Sequence, residues 1–104
     1  MAVAEWTRVL DDRALSDGAM APVRLSGERI VLSRVAGALY AVADTCVHMG
    51  CALSRGTLDG YILMCPCHDW RFDIRTGRFL DAPELGLKVY PVKSEAGGIF
   101  VRLE

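Results

Sequence analysis

The chain has 104 residues, 52% of them hydrophobic and 24% charged, with a formal net charge of −1. That length fits one small domain with a marginal core, a size at which a metal or a disulfide commonly adds stability. The apolar content argues against disorder, and the near-neutral, interspersed charge gives no electrostatic case for nucleic acid or an anionic membrane. The opening run from Met1 to Asp12 lacks a basic start followed by an apolar stretch, and no apolar run is long enough to span a bilayer. The expectation is a soluble cytoplasmic protein with one domain over residues 1–104.

In chain order, Arg8 to Met20 shows only weak helical periodicity and has room for a single turn. Met20 to Leu25 is apolar-rich and ends at Ser26-Gly27. Glu28 to Val35 carries Ile30, Val31, Leu32 and Val35, and Ala36-Gly37 turns it into Ala38 to Ala43 as a β-hairpin. Asp44 to Gly56 is irregular, with a helical turn expected at Ala52 to Arg55. Thr57 to Asp59 and Tyr61 to Met64 pair around Gly60, and Cys65 to Trp70 is a second irregular loop. Arg71 to Ile74 and Arg78 to Leu80 flank Thr76-Gly77. Leu87 to Ser94 and Ile99 to Leu103 form a last hairpin across Ala96-Gly97-Gly98, and the alternation Ile99, Val101, Leu103 predicts a half-buried edge strand. Strands this short, with turns this frequent, predict an all-β sandwich or barrel.

All four cysteines and both histidines fall in the two irregular loops. The first reads Cys46-Val47-His48-Met49-Gly50-Cys51 and the second Cys65-Pro66-Cys67-His68-Asp69-Trp70, with sixteen residues between His48 and Cys65. Soft anionic thiolates hold iron well, and imidazole is a neutral ligand of intermediate softness. Two thiolates with two imidazoles also suit a tetrahedral zinc site, although zinc modules usually pair Cys with Cys and His with His. A non-redox scaffolding module, with zinc or no metal, is the corresponding alternative function.

The pattern C-x-H, a gap, then C-x-x-H resembles the Rieske iron–sulfur family, and the resemblance runs over nearly the whole chain. It implies an antiparallel β-sandwich or barrel base carrying a two-loop cluster-binding part, here about residues 44–83. It also implies one [2Fe–2S] cluster, with Cys46 and Cys65 on one iron and His48 and His68 on the other. Neutral imidazoles in place of thiolates raise the potential above that of an all-cysteine cluster. The histidine pair would form the electron entry and exit edge, and loss of an outer imidazole proton would lower the potential at high pH.

Further residues divide the resemblance between two branches. Cys51 and Cys67 match a pair that forms a disulfide in Rieske proteins of cytochrome bc complexes and that ring-hydroxylating oxygenase ferredoxins commonly lack; two reduced thiols are the cytosolic alternative. Trp70 and Phe72 stand where high-potential Rieske proteins have a serine and a tyrosine whose hydroxyls donate to the sulfurs. Fewer such donors imply a lower potential, as in the ferredoxin branch, and both aromatics also serve as packing residues. Met49 is expected to shield the cluster, Gly50 to permit a tight turn and Pro66 to stiffen the second loop. Ala82-Pro83-Glu84 resembles a third loop that covers the cluster, or is an ordinary proline turn.

The resemblance implies a ferredoxin that takes electrons from a reductase and passes them to a terminal oxygenase, with weak, transient contacts. Both histidines are already assigned, so none is left for an oxygen-activating iron, and no Gly-rich dinucleotide fingerprint is present. The chain is therefore expected to have no catalytic residues and no small-molecule substrate of its own. The small subunit of an assimilatory nitrite reductase, or a ferredoxin for another reductase, are the neighbouring alternatives.

Overall fold

A computed structural model describes residues 5–46, 50–67 and 69–103. The described residues form three antiparallel three-stranded sheets. The strands are β1 (Thr7–Asp11), β2 (Met20–Leu25), β3 (Glu28–Val35), β4 (Ala38–Ala43), β5 (Thr57–Asp59), β6 (Ile62–Met64), β7 (Arg71–Asp73), β8 (Val92–Glu95) and β9 (Gly98–Val101). The sheet orders are β1-β9-β8, β2-β3-β4 and β5-β6-β7. Two 3₁₀ turns, Asp12–Ala14 and Leu53–Arg55, are the only helical elements among the described residues, and no described helix is long and apolar enough to cross a membrane.

The central strand of the β2-β3-β4 sheet, β3, is buried on both faces, which follows from its side-chain alternation. Ile30 and Leu32 pack into a core with Leu15, Ala41, Tyr90, Ile99 and Val101. Val31, between them, points the other way and packs with Val42, Cys46, Leu53, Leu63, Cys65 and Phe72. The register reinforces each face, because Val31 lies opposite Val42 and Leu32 opposite Ala41. A run with three consecutive residues at 0%, 1% and 0% exposure is the mark of a strand between two layers. Three hairpins are closed by Ser26-Gly27, Ala36-Gly37 and Ala96-Gly97, where both residues have positive φ; this is the turn whose twist matches that of the strands it joins.

Most expected strands lie where the periodicity put them, and the departures have local causes. The stretch Arg8 to Met20 holds its single helical turn at Asp12–Ala14, but it begins inside a strand that was not expected, β1, whose alternation is hidden by a register shift between Arg8 and Leu10. Since β1 flanks β9, the strand expected at an edge is instead central, with Ile99 and Val101 fully buried. Leu87 to Ser94 is not one strand. Its first part lies along β4, with Ala43 N donating to Lys88 O and Tyr90 N to Ala41 O, both at 2.9 Å. Pro91 has no N–H to continue the ladder, and beyond it Val92 begins β8 against β9. Arg78 to Leu80 makes only single bridges, Phe79 to Phe72 and Arg78 to Gly86, because the chain turns again through Ala82–Leu85.

Leu32→Ala should lower the unfolding free energy by about 2–5 kcal/mol in urea denaturation, as a single cooperative transition. A loss below about 1 kcal/mol would contradict the burial of this position between two layers.

Candidate metal centre

The two cysteine loops are built alike. One leaves the end of β4 and the other the end of β6. In the first, Cys46 N donates to Cys51 O and Gly50 N donates back to Cys46 O, both at 2.9 Å. In the second, Cys65 N donates to Trp70 O at 2.7 Å and Asp69 N to Cys65 O at 3.1 Å. The residue four places after each leading cysteine is left-handed, Gly50 at φ 74° and Asp69 at φ 59°. Glycine adopts that region without a steric penalty, and aspartate is among the residues that tolerate it best.

Cys51 and Cys67 are joined in a disulfide with their Cα atoms 6.5 Å apart, tying loop to loop. The bond removes both sulfurs from any metal-ligand set. Cys46 and Cys65 lie outside it and are 2% and 1% exposed, packed in the same core as Leu53, Leu63 and Phe72. The Cys65 Sγ lies within 4.8 Å of both disulfide sulfurs. His48 and His68, and Met49 with its expected shielding role, lie outside the described residues.

Contacts that residue spacing did not reveal hold the loops in place. Asp44, 4% exposed at the root of the first loop, accepts from Ser54 N at 2.6 Å and from Ser54 Oγ at 2.7 Å. These bonds compensate the burial of a carboxylate and fix the 3₁₀ turn that follows Cys51. Gly56 then passes so close to the Met64 carbonyl that a Cβ there would overlap it, which brings the exit of the first loop against the entry of the second. Arg29 on β3 donates to Thr45 Oγ1 at 3.2 Å. A buried Asp followed ten residues later by a Ser carries no periodic signal, so this brace becomes visible only when the chain is folded.

Trp70 and Phe72 are packing aromatics. Trp70 stacks on Phe79 with centroids 4.0 Å apart and planes 4° from parallel, and Phe72, fully buried, meets Phe79 at 5.6 Å. Neither side chain carries a hydroxyl. Ala82 packs against the core that contains Cys46 and Cys65, and the carbonyl of Pro83 accepts from Arg78 Nη1 at 2.9 Å. At the end of β7, Asp73 accepts from Arg75 Nε and Nη2 at 3.0 and 2.9 Å, and these bonds hold its carboxyl below the usual carboxylate range.

Two buried thiols on twin loops, cross-linked by the remaining two cysteines, suit a soft metal centre. The Rieske [2Fe–2S] domain family matches residues 5–91. The ferredoxin component of the naphthalene 1,2-dioxygenase/salicylate 5-hydroxylase systems of a Ralstonia species is 36% identical over 96 residues, covering 91% of this chain and 90% of the relative. Sulredoxin of Sulfurisphaera tokodaii is 32% identical over 105 residues, covering 92% and 96%. A chain in the solved complex of reduced oxygenase and oxidized ferredoxin of carbazole 1,9a-dioxygenase superposes with a TM-score of 0.85 at 32% identity, covering 93% of this chain and 92% of that one. The protein therefore belongs to the Rieske [2Fe–2S] domain family. Its cofactor is a Rieske [2Fe–2S] cluster, and the zinc and scaffold readings give way to it.

Asp44→Ala should cost about 1–3 kcal/mol in urea unfolding by leaving Ser54 N without its acceptor, and Asp44→Asn should recover part of that loss. Equal losses from the two variants would show that the acceptor oxygen is not what matters.

Proposed function

We propose that the protein is a soluble, cytoplasmic one-electron carrier, a single domain over residues 1–104, that takes electrons from a reductase and delivers them to a terminal oxygenase of the aromatic-ring-hydroxylating type. Cys46 and Cys65 hold one iron and His48 and His68 the other. The observation that supports this most is the burial of Cys46 and Cys65 on loops of matching construction, while Cys51 and Cys67 are spent on the cross-link. The similarity to ferredoxin components of multicomponent dioxygenase systems, and to a chain of an oxygenase–ferredoxin complex, supports the partners.

When bound, the cluster takes up and releases one electron. The chain's own residues set the conditions for that step. Cys46 and Cys65 sit in an apolar core that keeps water from their sulfurs. The main-chain closures of both loops, the disulfide and the Asp44–Ser54 brace restrict movement of the ligands when the charge changes. His48 and His68 would each keep a proton on the ring nitrogen away from the iron, and loss of that proton at high pH would lower the potential. Trp70 and Phe72 bring no hydroxyl to the sulfurs, which leaves the reduced state less stabilised than in a centre with such donors.

Reduced protein should give a rhombic Rieske-type EPR signal that His48→Ala and His68→Ala abolish. Retention of the signal in either variant would remove that histidine from the ligand set. Protein-film voltammetry should place the midpoint near the lower end of the roughly −150 to +300 mV range of Rieske centres. A value near its upper end would refute the role given to Trp70 and Phe72.

A further inference from the structure

Beside the disulfide lies an open cleft of about 460 Å³, lined by Arg29, Cys51, Ala52, Arg55, Pro66 and Cys67. Two features of it are not needed to hold a cluster. One is chemical access: Cys67 is exposed and Cys51 half-buried, so the cross-link opens to solvent through its Cys67 end. The other is charge. The ion pairs among the described residues involve Arg8, Arg34, Arg75, Lys88 and Lys93, and neither Arg29 nor Arg55 has a carboxylate partner. Arg29 donates to the neutral hydroxyl of Thr45, and among the described residues no carboxylate pairs with it. Two uncompensated guanidinium groups around a reducible bond form a small anion-attracting site.

We propose that this cleft admits a low-molecular-weight thiol carrying carboxylates, which opens the Cys51–Cys67 bond by exchange. The carboxylates are drawn by Arg29 and Arg55. The incoming thiolate bonds to Cys67 Sγ as the protein disulfide breaks, and the electron pair leaves on Cys51 Sγ, which takes a proton from water. A second thiolate attacks the sulfur of the bound small molecule and releases Cys67. Two small thiols are thereby oxidised to their disulfide, and one protein disulfide is reduced to two thiols. The positive rim acts on the carboxylates of the approaching thiol, so its effect depends on the charge of the attacking molecule. Since the bond joins the two loops within 4.8 Å of the Cys65 sulfur, opening it loosens the metal centre itself. That consequence rests on the ligand assignment above; the exchange does not.

The test uses the purified, cluster-loaded protein with two thiols, glutathione and uncharged 2-mercaptoethanol, and follows the exchange by alkylation and peptide mass spectrometry. Glutathione should appear first on Cys67. R29Q/R55Q should slow the glutathione reaction about tenfold and leave the 2-mercaptoethanol reaction nearly unchanged. On the wild type alone, 1 M NaCl should slow glutathione selectively, which keeps the test valid if the double variant does not fold. Equal slowing of both thiols, a salt-independent glutathione rate, first attack on Cys51, or a disulfide that resists glutathione would each overturn the proposal. The EPR signal before thiol is added reports on the ligand reading separately.

Discussion

Everything at the metal centre depends on two separated main-chain loops being held in one mutual geometry. Hydrogen bonds within each loop fix its own shape, but nothing internal to a loop fixes its position relative to the other. Among the described residues, two contacts between the loops supply that, and another steadies the first loop. The Cys51–Cys67 disulfide joins the loops directly. Asp44 anchors the 3₁₀ turn after Cys51 through Ser54. The close passage of Gly56 by Met64 sets the exit of one loop against the entry of the other. The first is covalent, the second polar and buried, the third steric, so each would respond differently to reductant and to substitution.

The framework beneath them is organised around β3. A small protein gains by making one strand serve two cores, because it then buries more apolar surface per residue. Ile30 and Leu32 supply one core and Val31 the other, and the latter is the core that encloses Cys46 and Cys65. The proposed metal-binding layer is thus seated on the back of a strand whose front belongs to the remainder of the fold.

Much of this was legible in the sequence, for identifiable reasons. The hairpin of β3 and β4 was evident because apolar runs flank a Gly-containing turn, and the two loops stood out because every cysteine and histidine falls in them. The first strand was missed because a bulge between Arg8 and Leu10 breaks the period on which strand reading depends. The place of β9 was misjudged because a partner that is not recognised makes a central strand look like an edge. Pro91 marked a change of partner inside what read as one strand. The Asp44–Ser54 brace and the stacking of Trp70 on Phe79 join residues that no periodicity links.

The return of the chain alongside β4 has a consequence of a different kind. Residues 44–87 leave and rejoin the framework at neighbouring points, since Ala43 N is bonded to Lys88 O. In modular terms this stretch, the proposed metal-binding part, is an insertion with adjoining ends, the arrangement in which one segment can be exchanged for another without rerouting the chain. What limits such a transplant is not the junction but the surface it would uncover. Val31 and Val42 would face water unless the replacement brought apolar side chains of its own, so any graft must match a hydrophobic footprint before it can carry a different metal.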